Sequence, residues 1–107
     1  MDPNVLKDEI VKVLENKNGG DISVIDLADK SGIADYFVIA TGKNPSHVKA
    51  LAESIEEKLS KLNIDLVRSE GKNDARWIVL DYSYIIVHIF NTETRDFYCL
   101  ETLWKER

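Results

Sequence analysis

A chain of 107 residues has room for one hydrophobic core, since folding units commonly run to about 100–150 residues, so positions 1–107 are expected to form a single domain. Hydrophobic residues at 44% and charged residues at 31%, with only two prolines and five glycines, exclude a disordered or membrane-spanning class. The net charge of −5 argues against a module that lives by neutralising phosphates and suits a meeting with a basic protein.

The opening MDPNVLKDEI is too charged for a signal peptide, so a cytoplasmic address is expected. Asp2 as a cap, Pro3 in the first turn and Leu6, Ile10, Val13 and Leu14 at helical spacing predict a first helix, ended by Asn18, Gly19 and Gly20. DISVIDLA follows as a strand, with Ile22, Val24 and Asp26 on one side and Ser23, Ile25 and Leu27 on the other. After the polar break DKSGIA, the run DYFVIAT carries no charge beyond Asp35, as expected of a strand covered on both faces near the centre of a sheet.

Asn44 and Pro45 open a second helix, whose Val48, Leu51, Ala52, Ile55, Leu59 and Leu62 form one buried stripe. Lys49, Glu53, Glu56, Glu57 and Lys61 are expected on its solvated side. IDLVRSE, RWIVLDY and YIIVHIF read as three strands on links short enough to demand antiparallel hairpins. A last helix, capped by Thr92 or Thr94, is expected through ETRDFYCLETLW, with an extended tail carrying Tyr98, Leu100 and Trp104 as the equal alternative. The order of elements is that of an α/β fold, a mixed β-sheet of about five strands covered by helices, with the strand order left open.

Chemistry is harder to find. VIATGKNPSH resembles a phosphate loop, but TGKNPS lacks the first glycine of a P-loop and the Ser or Thr after Lys43, and Pro45 has removed one amide. The favoured reading is a capped corner in which Gly42 provides backbone freedom. Asp81 stands alone after its strand, while Asp26 and Asp29 straddle a strand end, so paired carboxylates for magnesium are missing and neither metal nor cofactor is expected. Cys99 is the sole cysteine, which rules out an internal disulfide and is expected to pack as a small hydrophobe. His47 and His88 have no nucleophile or carboxylate at a useful spacing, and His88 inside YIIVHIF is expected to be a sheet histidine satisfied by hydrogen bonds. Aromatic residues stand out instead: in RWIVLDY, Trp77 shares its face with Val79 and Asp81, and so is expected to point away from the purely apolar Ile78 and Leu80.

DYFVIATG, the helix HVKALAESIEEKL, the EG before RWIVLDY, then VHIF and the tail RDFYCLETLW together resemble the ribosomal silencing factor, or iojap, family from about Asp21 to Trp104. The usual family pattern has Gly-Asp after LDY, His-Pro after the VHVF and an aspartate after FY, where this chain has Ser83-Tyr84, Asn91-Thr92 and Cys99. The first and third changes each remove an acidic side chain. The resemblance implies a nucleotidyltransferase-like fold without catalytic carboxylates, and a protein that is no enzyme. It implies binding to large ribosomal subunit protein fourteen on the intersubunit face, a block to subunit joining that dampens translation, and a homodimer in the free state. Relatives in organelles assist large-subunit assembly. No membrane and no sequence-specific nucleic acid are implied. Carried onto this chain, the partner contact falls to Trp77, Asp81, Tyr98, Glu101 and Trp104, with Tyr36 and Phe37 assigned to packing. Two other readings stay open here, a nucleotide-dependent transferase on the same fold and a plain assembly or dimerisation module.

Overall fold

A computed structural model describes residues 2–27 and 34–98. The first helix, α1, spans Pro3–Asn16, and Asp2 caps it by accepting from the Asn4 amide at 2.9 Å. It ends because Asn18 turns left-handed at φ 63, which lets Asn18 donate to the Glu15 carbonyl and Gly19 to the Leu14 carbonyl. The second helix, α2, spans Pro45–Lys61 and stops in the same way: Asn63 sits at φ 60, and Ile64 donates back to the Leu59 carbonyl at 2.9 Å. Asparagine is well suited to this position, because its short polar side chain lowers the cost of the left-handed region.

Between the helices run β1 (Gly20–Asp26) and β2 (Tyr36–Gly42), followed after α2 by β3 (Arg68–Glu70), β4 (Trp77–Asp81) and β5 (Ile85–Asn91). They form one five-stranded sheet in the order β1-β2-β5-β4-β3. Strands β2 and β5 pair in parallel, from Tyr36 opposite Ile85 to Gly42 opposite Asn91, and the other three pairings are antiparallel. The expected mixed sheet and the antiparallel β3-β4-β5 hairpins are therefore present. β2 is buried on both faces beside the central β5, as its uncharged run demanded.

Both long helices lie on one face. Leu6, Ile10 and Leu14 of α1 and Val48, Leu51, Ile55 and Leu59 of α2 close over Val38, Ala40, Ile78, Leu80, Val87 and Ile89. The period of 3.6 in the helices and 2 in the strands directs these residues to a shared layer. Removing the α2 cap by Asn44→Ala deletes the acceptor of the His47 amide, 2.8 Å away. The expected loss is about 1 kcal/mol, read as a lower urea midpoint at unchanged slope.

Three local expectations are corrected. IDLVRSE forms a strand only over Arg68–Glu70: the Val67 amide still donates to the Asp81 carbonyl at 2.8 Å, but Ile64 and Leu66 before it turn, partly buried, toward the helical layer. The short helix α3 (Thr92–Tyr98) is capped by Asn91, whose Oδ1 accepts from the Thr94 amide at 2.8 Å, and not by Thr92 or Thr94. Glu56 is not fully solvated: it is half-buried, with Lys72 Nζ 2.6 Å from its Oε1. Burial, with the Glu56 carboxylate nearby, pushes the Tyr82 hydroxyl up to about 12. Among the described residues no helix is long and apolar enough to cross a membrane.

Candidate partner-binding face

The opposite face of the sheet is built from alternate residues of the same strands. In β4 the pleat sends Ile78 and Leu80 under the helices, both fully buried, and turns Trp77, Val79 and Asp81 the other way, as their alternation predicted. Strand register then decides their neighbours. Trp77 stands opposite Phe90, Val79 opposite His88 and Asp81 opposite Ile86. Phe37 and Ile39 of β2 complete an apolar layer with Ile25, Leu27 and Phe90, against which Trp77 and Ile86 pack half-buried. Phe37 is thus a packing residue, and Tyr36 lies half-buried on the helical side under the Lys7 ammonium, 5.3 Å from its ring centre.

Trp77 is held from two directions. Its ring stacks on Phe90 with centroids 4.9 Å apart, and its indole Nε1 donates to His88 Nδ1 at 3.0 Å. His88 is 7% exposed and meets the Phe37 ring edge-on at 4.7 Å. Burial pushes its imidazole down to about 4, so it is neutral near pH 7. Because Nδ1 accepts, the single ring proton sits on Nε2, which has no hydrogen-bond partner among the described residues. The expected hydrogen-bonded sheet histidine is therefore seen at Nδ1, and no described protein group bonds its Nε2.

Asp81 lies about 13 Å along the strand from Trp77. Its Oδ1 accepts from the Ser83 amide at 2.8 Å, closing the Ser83-Tyr84 turn, and its Oδ2 stands 3.9 Å from Arg68 Nε. Asp81 is thus a turn-closing residue whose side chain keeps 23% of its surface open. Beyond Trp77 a hollow of about 580 Å³ opens between Asp74, Arg76, Asn91 and Glu93. It gives the indole edge an open neighbour with charges of both signs. Near it α3 returns over the sheet, where Arg95 Nη1 donates to Thr41 Oγ1 at 2.9 Å. Tyr98 ends α3 in backbone position, whereas Cys99, Glu101 and Trp104, like Asp29, lie outside the described residues. Of the five expected contact residues, the described structure brings Trp77 and Asp81 onto one face.

The TGKNPS corner is filled by its own atoms. The His47 amide is taken by Asn44 Oδ1, the Val48 amide by the Asn44 carbonyl, and the Lys43 amide by His47 Nδ1 at 2.9 Å. On its other side His47 Nε2 meets the Lys17 carbonyl at 2.8 Å, tying this corner to the end of α1. No motif in the sequence announces that bridge, since the partner lies thirty positions away. Gly42 is needed for a different reason than backbone freedom: an added Cβ would lie 2.6 Å from Val48 Cγ2 and 2.8 Å from the Val48 nitrogen. Helix and strand approach too closely there for any side chain. Among the described residues no three of His, Cys, Asp or Glu come together as metal ligands would.

A sequence model of the family described as ribosomal silencing factor during starvation matches residues 2–107. The chain belongs to that family. It is 37% identical to the ribosomal silencing factor of Zymomonas mobilis over 103 residues, covering 96% of this chain and 77% of that protein. It is 32% identical to the mouse protein named mitochondrial assembly of ribosomal large subunit protein 1, over 94% of this chain and 45% of the relative. A crystal structure of a Chromobacterium violaceum protein superposes with a TM-score of 0.95 at 31% identity, covering 98% of this chain and 88% of the other. In this member the fold is an open five-stranded mixed sheet with two long helices on one face and, on the other, a buried apolar layer against which Trp77 and Ile86 pack half-buried.

Proposed function

We propose that this protein associates with the large ribosomal subunit by binding ribosomal protein fourteen on the intersubunit face, and that it represses translation by keeping the small subunit off. The family match over residues 2–107 carries this reading. The face around Trp77 supports it physically, because a half-buried tryptophan beside an open hollow offers large contact area at low entropic cost. Trp77 and Asp81, with Tyr98, Glu101 and Trp104 of the tail, are the proposed contacts. The charge of −5 draws the protein toward a basic ribosomal surface.

The mechanism is occupancy, with no bond made or broken. A factor that holds the large subunit lowers the apparent joining constant by 1 + [L]/Kd, so about a hundredfold at a concentration of 100 Kd. Free in the cytoplasm it is proposed to be a homodimer. The name of the mouse relative favours a role in large-subunit assembly as a second reading. Sucrose gradients of purified subunits decide between occupancy and the alternatives. With excess protein the monosome peak should shrink and the protein should sediment with the large subunit. An undiminished monosome peak would remove the anti-association reading, and in gradients of whole lysate co-sedimentation with only immature particles would favour assembly.

A further inference from the structure

We propose that His88 is a positioning residue for Trp77: its Nδ1 fixes the indole in the orientation that meets the protein partner, so that partner affinity follows the acceptor at position 88. The inference rests on the reading of Trp77 as a contact residue and adds the group that sets its geometry.

Three observations lead here. A tryptophan on a sheet face has two side-chain torsions to settle, and stacking on Phe90 alone would still permit the ring to slide or flip. The bond from Trp77 Nε1 to His88 Nδ1 at 3.0 Å removes that freedom. Second, the acceptor is itself rigid. His88 lies in the central strand, paired on both sides by β2 and β4, with its ring wedged against Phe37. A contact group held by an immobile support binds without first having to be ordered. Third, packing alone does not explain a histidine here. Its cross-strand neighbours are the apolar Ile39 and Val79, it shares a hollow of about 230 Å³ with Phe37, Ile86, Arg68, Glu70 and Asp81, and among the described residues none of these groups bonds its Nε2. A side chain that breaks the rule of satisfied burial calls for a reason besides stability.

The test separates the acceptor from the packing. In the full chain, His88→Phe fills the site without an acceptor, and His88→Asn keeps an oxygen near the place of Nδ1 but leaves a void. Melting temperature and co-sedimentation with purified large subunits are measured for both. His88→Phe should melt at or above the wild-type temperature yet bind roughly three- to tenfold more weakly, the span expected for one neutral hydrogen bond. His88→Asn should melt lower and bind close to wild type. In a Trp77→Phe background, which lacks the indole donor, His88→Phe should weaken binding no further. Affinity that ranks with melting temperature, or wild-type binding by His88→Phe, overturns the proposal.

If the wild-type protein does not sediment with large subunits, the functional reading falls and acrylamide quenching judges the positioning alone. With Trp104→Phe as background, Trp77 emission should be more easily quenched in His88→Phe than in wild type or His88→Asn. Equal quenching in all three would refute the restraint on the indole.

Discussion

Replacing Gly71 by alanine should cost about 3–5 kcal/mol and lower the melting temperature by roughly 12–20 °C. Gly71 has φ +86, a region that penalises any Cβ, and the turn it makes folds back against the next strand. A Cβ built there would lie 2.0 Å from the Trp77 carbonyl oxygen and 3.0 Å from its carbon. These are backbone atoms of β4, so no rotamer change relieves the overlap, and the turn has to move. The Ala75 amide, which donates to the Gly71 carbonyl at 2.9 Å, would move with it. Gly20→Ala is the control. Its new Cβ would meet nothing nearer than 3.5 Å, and its melting temperature should stay close to that of the wild type. A Gly71→Ala protein that melts within a few degrees of Gly20→Ala would show that the close approach to Trp77 is absent in solution.

Acid should unfold the protein through His88. Burial holds the imidazole at about 4 in the folded chain, against 6.5 when unfolded. Between those values the unfolded chain binds a proton that the folded chain refuses, so stability is complete above about pH 6.5 and falls as pH drops toward 4. The size of the shift corresponds to about 3 kcal/mol. Carboxylates begin to titrate at the lower end of this window, so the measurement is a difference. Urea unfolding of wild type and His88→Phe at pH 7 and pH 4 should show wild type losing about 3 kcal/mol more than the variant. Parallel losses would mean that His88 is charged in the folded state or reaches solvent. Protonation would also occupy Nδ1, so the Trp77 bond must break in the acid form.

What could be read in the chain depended on how local the cause was. Both long helices were legible because their caps, prolines and apolar periods are written within a few positions of one another. The alternation of RWIVLDY placed Trp77, Val79 and Asp81 on one face without any knowledge of neighbours. Register is not local. That His88 sits diagonal to Trp77 follows from Val79 standing opposite it, which depends on the two-residue turn at Ser83-Tyr84 and its left-handed Ser83 at φ 74. The parallel pairing of β2 with β5 is set by the packing of both strands under α2, and no short motif encodes it. Gly42 shows the same limit: a glycine at a strand end suggests conformational freedom, while the actual constraint is the approach of Val48. Asp81 stands out in the chain for its charge, and its bond to the Ser83 amide appears only once the turn is built.

The place of β5 in the sheet has a consequence for biosynthesis. The strand that joins the two halves is the last to emerge, since Tyr36 waits for Ile85 and Gly42 for Asn91. During translation the amino-terminal hairpin would hold its inner edge unpaired while most of the polypeptide is still being made, an open template for stray association. Closing so distant a pairing is entropically slow, and folding should therefore finish in one late cooperative event. A nascent chain stalled before Ile85 is accordingly a client for chaperones, with no stable sub-structure to fall back on.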